Sequence, residues 1–253
     1  MNERVMNESK RIVDEATRKE IVLRLLGGVA IGLNCPSASS PPLAREYADA
    51  DFIGLKKQAG KIKSLFTDLR YAPAKTFNAI HGDRRLLFYI PDSSKQVDVV
   101  LDLFHMCHEF DFRDRLTIHP VTLSISDLLI TKLQVIKVND KDIRDMLCLL
   151  KDHEITDNDE RGINRRYIAK LCSQDWGIYR TFTDTLNTIG SSLNSYNLAQ
   201  GDTEAIESRI RTLHNAIEQE PKSTGWKLRA KIGDKVRWYE LPEEPHPALA
   251  SES

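Results

Sequence analysis

The sequence predicts a mixed α/β (α+β) chain, with a sheet-bearing N-terminal part followed by a mainly helical part and a short closing β-hairpin. Three observations carry this. Short apolar runs bounded by turn residues recur at 21–26, 49–53, 85–90 and 96–101, as half-buried or buried strands require. From about residue 124 the apolar spacing switches to a helical period of three and four. Gly233-Asp234 then separates two segments rich in alternating residues, 226–232 and 235–241. The expected organisation is 1–123, 124–241 and a disordered tail at 242–253, where Pro and Glu dominate.

The elements follow in order. Residues 5–19 read as a helix, and 21–26 form an apolar strand ending at Gly27-Gly28. The Pro- and Ser-rich run CPSASSPPLA is a loop, which leads to a strand at 49–53. Residues 55–69 are an amphipathic helix, with Leu55, Ala59, Ile62, Phe66 and Leu69 on one stripe. Strands at 85–90 and 96–101 are joined by a turn at PDSS. Helices are expected at 127–138 and 140–150, the second with Asp140 as N-cap. Further helices are expected at 163–173, 176–193 and 204–218, the last with Ile206, Ile210, Leu213 and Ile217 on one face.

Composition removes several classes of function. The 253 residues hold 36 Lys+Arg against 37 Asp+Glu, a formal net charge of −1. That balance argues against a bulk polyanion binder or a membrane-surface protein. The longest apolar stretch, 22–33, is broken by Arg24 and three glycines, so no membrane association is expected. The first twenty residues are densely charged and lack the apolar centre of a signal peptide. Cys35, Cys107, Cys148 and Cys172 are widely spaced, which suits free thiols in a reducing cytoplasm. A cytoplasmic enzyme or binding module is the expectation.

The residues that carry chemistry are acidic. Asp49 and Asp51 stand two apart in an expected strand, which puts both carboxylates on one face. Asp98 lies inside the apolar run VDVVL, where a lone carboxylate is costly without a partner. Three converging carboxylates call for a divalent cation, and Mg²⁺ (or Mn²⁺) takes carboxylates together with substrate phosphates. Gly27 and Gly28, between a strand and a helix start, let backbone N–H groups approach phosphate oxygens. A bare Asp-x-Asp alone is more often a solvated strand end. The ordered set of features raises the chemical reading above it. Lys132 is flanked at helical spacing by Leu128, Leu129, Val135 and Ile136, so its ammonium either snorkels to water or meets a buried anion. Arg45 is a phosphate clamp or a surface arginine on the same grounds.

This ordered set resembles the DNA polymerase β-like nucleotidyltransferase superfamily. The pattern is an apolar strand ending in Gly27-Gly28, then Arg45, Asp49 and Asp51, then Asp98 on a later strand. It is most similar to the bacterial nucleotidyltransferases grouped with abortive-infection toxins and to uncharacterised actinobacterial-type relatives, which join such a domain to a C-terminal helical one. ITKLQVIKVNDKDIRDM, with Lys132, Lys141 and Asp142, matches their later Lys and Lys-Asp motif. FNAIHGDRRLLFY, MCHEFDFRDRL and DWGIYRTFTDTL add to the likeness, which covers about 22–193. The resemblance implies a nucleotidyltransferase-type mixed sheet in which Asp49, Asp51 and Asp98 hold metal. It also implies that Gly27, Gly28, Arg45 and Lys132 contact the nucleotide triphosphate, with Asp142 nearby. The implied reaction moves an NMP from an NTP to a hydroxyl of RNA, protein or a small molecule, with Asp98 orienting or deprotonating that hydroxyl. A toxin role and an antitoxin partner follow from the same likeness. Two departures stand out: Gly28 replaces a common Ser, and the hydroxyl residue often found two before the first Asp is here Tyr47. The enlarged loop before Asp49 is a mobile lid or a displaced segment.

Other candidates rank lower. His105, Cys107, His108 and Glu109 are too close in sequence to surround a zinc ion, so packing is preferred there. Lysines at 56, 57, 61 and 63, and the cations and tryptophans of 222–239, read as a solvated helix face and an ordinary hairpin ahead of a single-strand platform. The rival class of function is a non-catalytic nucleotide- or RNA-binding module on the same fold.

Overall fold

Helix α1 (Asn2–Arg18) buries Ser9, Ile12, Val13 and Ala16, one face of an otherwise charged helix. Strand β1 (Leu23–Leu26) runs directly into α2 (Gly27–Asn34), and Gly27 makes the turn at φ +69°. L-residues with side chains rarely adopt that conformation. The molecule is a computed structural model that describes residues 2–47, 49–90, 96–160 and 162–241.

After a loop comes β2 (Ala50–Gly54), a 3₁₀ turn at Lys56–Gln58 and α3 (Ala59–Asp68). The chain continues through β3 (Ala72–Pro73), α4 (Lys75–His81), β4 (Arg85–Tyr89) and β5 (Gln96–Leu101). These strands form a five-stranded mixed sheet in the order β1-β2-β5-β4-β3. Only β2 and β5 pair in parallel; the other pairs are antiparallel. The fold is therefore mixed α and β, as the sequence predicts.

The two sheet faces differ. Phe52, Phe88 and Val99 point to one side, where Phe66 of α3 stacks on Phe88 at 4.4 Å and meets Phe52 edge-on at 6.0 Å. Alternation along the strands puts Asp51, Ile53, Asp98, Val100, Arg85 and Leu87 on the other side. The outer edge of β1 is closed by residues 121–123, whose Val121 carbonyl accepts from Leu25 N–H and whose Leu123 N–H donates back. That edge leads into the helical part.

A small hairpin, β6 (Leu103–His105) and β7 (Glu109–Asp111), precedes α5 (Ile125–Leu133) and α6 (Asp140–Asp152). Strands β8 (Glu154–Thr156) and β9 (Gly162–Asn164) pair in parallel, followed by α7 (Arg165–Gln174), α8 (Trp176–Ser192), α9 (Gln200–Gln219) and α10 (Thr224–Ile232). One cluster of buried side chains runs from Ile12 through Phe52 and Leu129 to Ile217. No helix among the described residues is long and apolar enough to cross a membrane.

Four expectations need correction. Helix α5 stops at Leu133, because Val135, Ile136 and Val138 are poor helix formers and Asn139 begins the next helix. Asn139, not Asp140, caps α6: its side chain accepts from Asp142 N–H, and the Asp142 carboxylate accepts from Asn139 N–H. Asp49 precedes β2 instead of lying in it. The closing hairpin does not form. Its first half is α10, capped by Ser223 accepting from Trp226 N–H and ended by Gly233 at φ +58°. Its centre is a 3₁₀ turn at Gly233–Lys235. The turn expected at 91–94 and the tail at 242–253 lie outside the described residues.

Candidate functional site

Asp51 and Asp98 are direct register partners on the parallel pair β2–β5, so their carboxylates share the sheet face turned away from Phe66. Asp98 is forked by Arg85: Nε donates to Oδ1 at 2.8 Å and to Oδ2 at 2.7 Å, and Nη2 also donates to Oδ2. Asp51 makes no side-chain hydrogen bond or ion pair among the described residues. Burial, then the nearby Asp98 and Asp49 carboxylates, push its carboxyl up to about 6 from the ordinary 3.8, against the pull of Lys132 and Arg85. Asp49 is exposed at the mouth of this face, where its Oδ1 accepts weakly from Gln96 N–H at 3.5 Å.

The two glycines are explained by their neighbours. A Cβ on Gly27 would sit 2.5 Å from Asp51 Oδ2, in addition to the strain of positive φ. A Cβ on Gly28 would lie 2.0 Å from Arg45 Nη2. Gly27 thus admits Asp51, and Gly28 admits Arg45. The cap position of α2 is Leu26, which offers its helix no side-chain acceptor, so an anion would be welcome at these amides.

Arg45 and Lys132 are partners of carboxylates in the chain itself. Arg45 forks Asp145, with Nε and Nη2 each at 2.7 Å from an oxygen. Lys132 Nζ lies 2.9 Å from both Asp142 and Asp145. Burial opposes the Lys132 charge, yet Asp145 and Asp142 outweigh it and raise its pKa. Of the two alternatives read from sequence, the lysine therefore meets buried anions and does not snorkel. An ammonium has three N–H donors, so one is left for a further acceptor. Asp142 serves twice, as the Lys132 partner and in the α6 cap.

The long loop before Asp49 is pinned to α6, not loose. Asp152 accepts from both the N–H and Oγ of Ser37 at 2.8 Å, and Arg144 donates to the Pro42 carbonyl. Asn2 clamps its end, donating to Arg45 O at 2.6 Å and accepting from Tyr47 N–H at 3.0 Å. Tyr47 fills the space beside Gly28 and Gly32, its ring 4.4 Å from the Arg45 guanidinium.

Among the described residues no group of three or more His, Cys, Asp or Glu is placed to enclose an ion. The donor set nevertheless fits Mg²⁺ or Mn²⁺: Asp51 is an unpartnered carboxylate beside a second one, and Mg²⁺ commonly uses one or two carboxylates with water and phosphate completing its shell. Zinc has no such support. His105 pairs with Glu240 at 2.9 Å, and His108 pairs with Thr181 Oγ1 at 2.8 Å. The four cysteines are buried and free, and burial raises the Cys35 thiol far out of the nucleophilic range.

Two residues escaped sequence reading. Asp145 joins Arg45 to Lys132, and its signal was the spacing of three from Asp142 on one helix. Arg85 reaches Asp98 because β4 and β5 pair with Leu87 opposite Asp98, which puts Arg85 on the same face. No protein-family model matches the chain, and no curated protein matches it.

Proposed function

We propose that the chain is a Mg²⁺-dependent nucleotidyltransferase, which moves an NMP from an NTP to a hydroxyl acceptor and releases pyrophosphate. One observation carries this reading: Asp51, half-buried and without a side-chain partner among the described residues, stands in register with Asp98 where β1 turns through Gly27 into α2. The resemblance of the ordered motif to nucleotidyltransferases supports the same assignment. Asp51 and Asp98, with Asp49 at the mouth, would hold Mg²⁺ or Mn²⁺. Such an ion neutralises phosphate charge and polarises the acceptor hydroxyl when bound.

The chain's own groups then have defined tasks. The first amides of α2 attract an anion. The third Lys132 N–H is available to a phosphate oxygen, and Asp145 fixes the ammonium in place. Arg45 acts at one remove, by holding Asp145 and filling the space over Gly28. Asp98 is the carboxylate to orient the acceptor hydroxyl. An RNA acceptor, a toxin role and an antitoxin partner belong to this proposal and rest on the resemblance alone.

The test uses each α-³²P NTP in turn with Mg²⁺ and total RNA, protein or small hydroxyl acceptors. Transfer that disappears in Asp51→Ala and Asp98→Ala supports the enzyme. Nucleotide binding without transfer to any acceptor would instead establish a binding module. The Arg85 fork on Asp98 is the observation that favours that second reading.

A further inference from the structure

We propose that Arg85 is the resident counter-cation of this acidic face, displaced from Asp98 when a divalent ion binds, so that Arg85 sets the metal affinity of the chain. The inference rests on the metal-dependent reading above. Both oxygens of Asp98 accept from Arg85, so an ion that takes either of them must break part of the fork. Lys132 and then Arg85 also compensate Asp51, which forms no ion pair of its own among the described residues. On the helical side Arg45 is bonded to Asp145 and Lys132 to Asp142 and Asp145, so of these three cations Arg85 is the one that bonds a sheet carboxylate directly.

The geometry allows the exchange. The Asp98 side chain is 14% exposed while that of Arg85 is 47% exposed, so the carboxylate stays enclosed and the guanidinium sits at the solvent edge. Release of Arg85 therefore disturbs no core packing. Phe77, with its ring 5.9 Å from the guanidinium, lies beside it as a resting surface. A single positive charge in a fork is replaced by a doubly charged ion that also serves Asp51.

The experiment measures Mn²⁺ binding to the full chain by the free-ion paramagnetic resonance signal, without nucleotide. The variants are Arg85→Met, Arg85→Lys, Asp51→Asn and the double Arg85→Met/Asp51→Asn, each checked for folding by circular dichroism. A partly exposed ion pair contributes modestly, so Arg85→Met is expected to tighten Mn²⁺ binding by about tenfold, equivalent to about 1.4 kcal/mol. Arg85→Lys, which keeps the charge but loses the fork, should fall between. Adding Asp51→Asn should abolish the gain. If Asp51→Asn abolishes wild-type binding but neither Arg85 variant tightens it, the metal site stands and this proposal is overturned. If Mn²⁺ binds neither the wild type nor Arg85→Met, or binds independently of Asp51, the metal reading fails and takes this proposal with it. Should Arg85→Met not fold, Arg85→Lys decides, and an affinity equal to wild type overturns the proposal.

Discussion

A buried carboxylate set beside two others is held in the folded chain at an energetic cost, and Asp51 shows how that cost depends on pH. Its carboxyl titrates near 6 when folded against 3.8 ordinarily. Between those values the folded chain keeps a proton that the unfolded chain has lost, so stability falls as pH rises through the window. Above about pH 6 the penalty is complete. Asp51→Asn is therefore expected to stabilise the fold by about 1–3 kcal/mol at neutral pH, with the gain vanishing below about pH 3.8. Urea unfolding across this range measures it; a variant destabilised at every pH contradicts the assigned cause. Mg²⁺ should raise the wild-type midpoint and chelation reverse it, while Asp51→Asn should respond to neither. The glycines are stringent for a different reason. In Gly28→Ala the new Cβ displaces the Arg45 guanidinium from Asp145, which should cost about 2–4 kcal/mol by stranding a buried carboxylate. Thermal melts with and without the companion Arg45→Ala check this, since removing Arg45 first should leave the extra methyl only its 3.0 Å approach to the Tyr47 ring and so reduce its cost.

At the scale of elements, α6 joins the sheet to the helices through its charged face. Asp142, Asp145 and Asp152 meet Lys132, Arg45 and Ser37 from three different segments. Asp145 is the hub, with a side chain only 2% exposed. Asp145→Ala leaves two cations facing each other with one carboxylate to share, and should lower stability by about 3–5 kcal/mol in urea titration. Lys132→Met should cost less, because Asp145 then retains Arg45. If Lys132→Met proves the more damaging, the hub is misassigned. Much of this level was legible in sequence. The period-two alternation of QVDVVL and the Gly27-Gly28 break give strands and a strand–helix junction that pure periodicity can detect. The Asp51–Asp98 pairing is consistent with the motif order, but the ion network was hidden. Arg45 and Asp145 are 100 residues apart, and nothing local tells which carboxylate answers which cation. The C-terminal segment misled for a physical reason: WKLRAKI alternates like a strand but is built from good helix formers. Ser223 and Gly233 supply the caps that decide the matter.

For the whole molecule, the chain after α10 returns to close the fold. Trp238 donates from Nε1 to Thr181 Oγ1 at 3.1 Å and meets Trp176 edge-on at 5.5 Å. Gly177 leaves room for the passing backbone, since a Cβ there would stand 2.9 Å from the Trp238 carbonyl. Glu240 then donates from its N–H to Cys107 O at 3.0 Å and pairs its carboxylate with His105. This strap thus links α8 to the β6–β7 hairpin, which follows directly on β5. Cys107 is 3% exposed beneath it, whereas Cys35, Cys148 and Cys172 are 0–1% exposed within the continuous core. Truncation after Ile232 removes the strap but keeps the core intact. It is expected to lower stability by about 1–3 kcal/mol, from the lost aromatic packing and hydrogen bonds. It should also make Cys107 reactive towards a thiol reagent while the other three cysteines stay protected. Cys107→Ser in the truncated chain identifies the labelled site. Because the acidic face depends on β1, β2, β5 and α6, the truncated chain should retain Asp51-dependent Mn²⁺ binding. Loss of that binding with the core still folded would mean that the strap supports the site from a distance. Uniform labelling of all four thiols would mean instead that the strap holds the entire fold together.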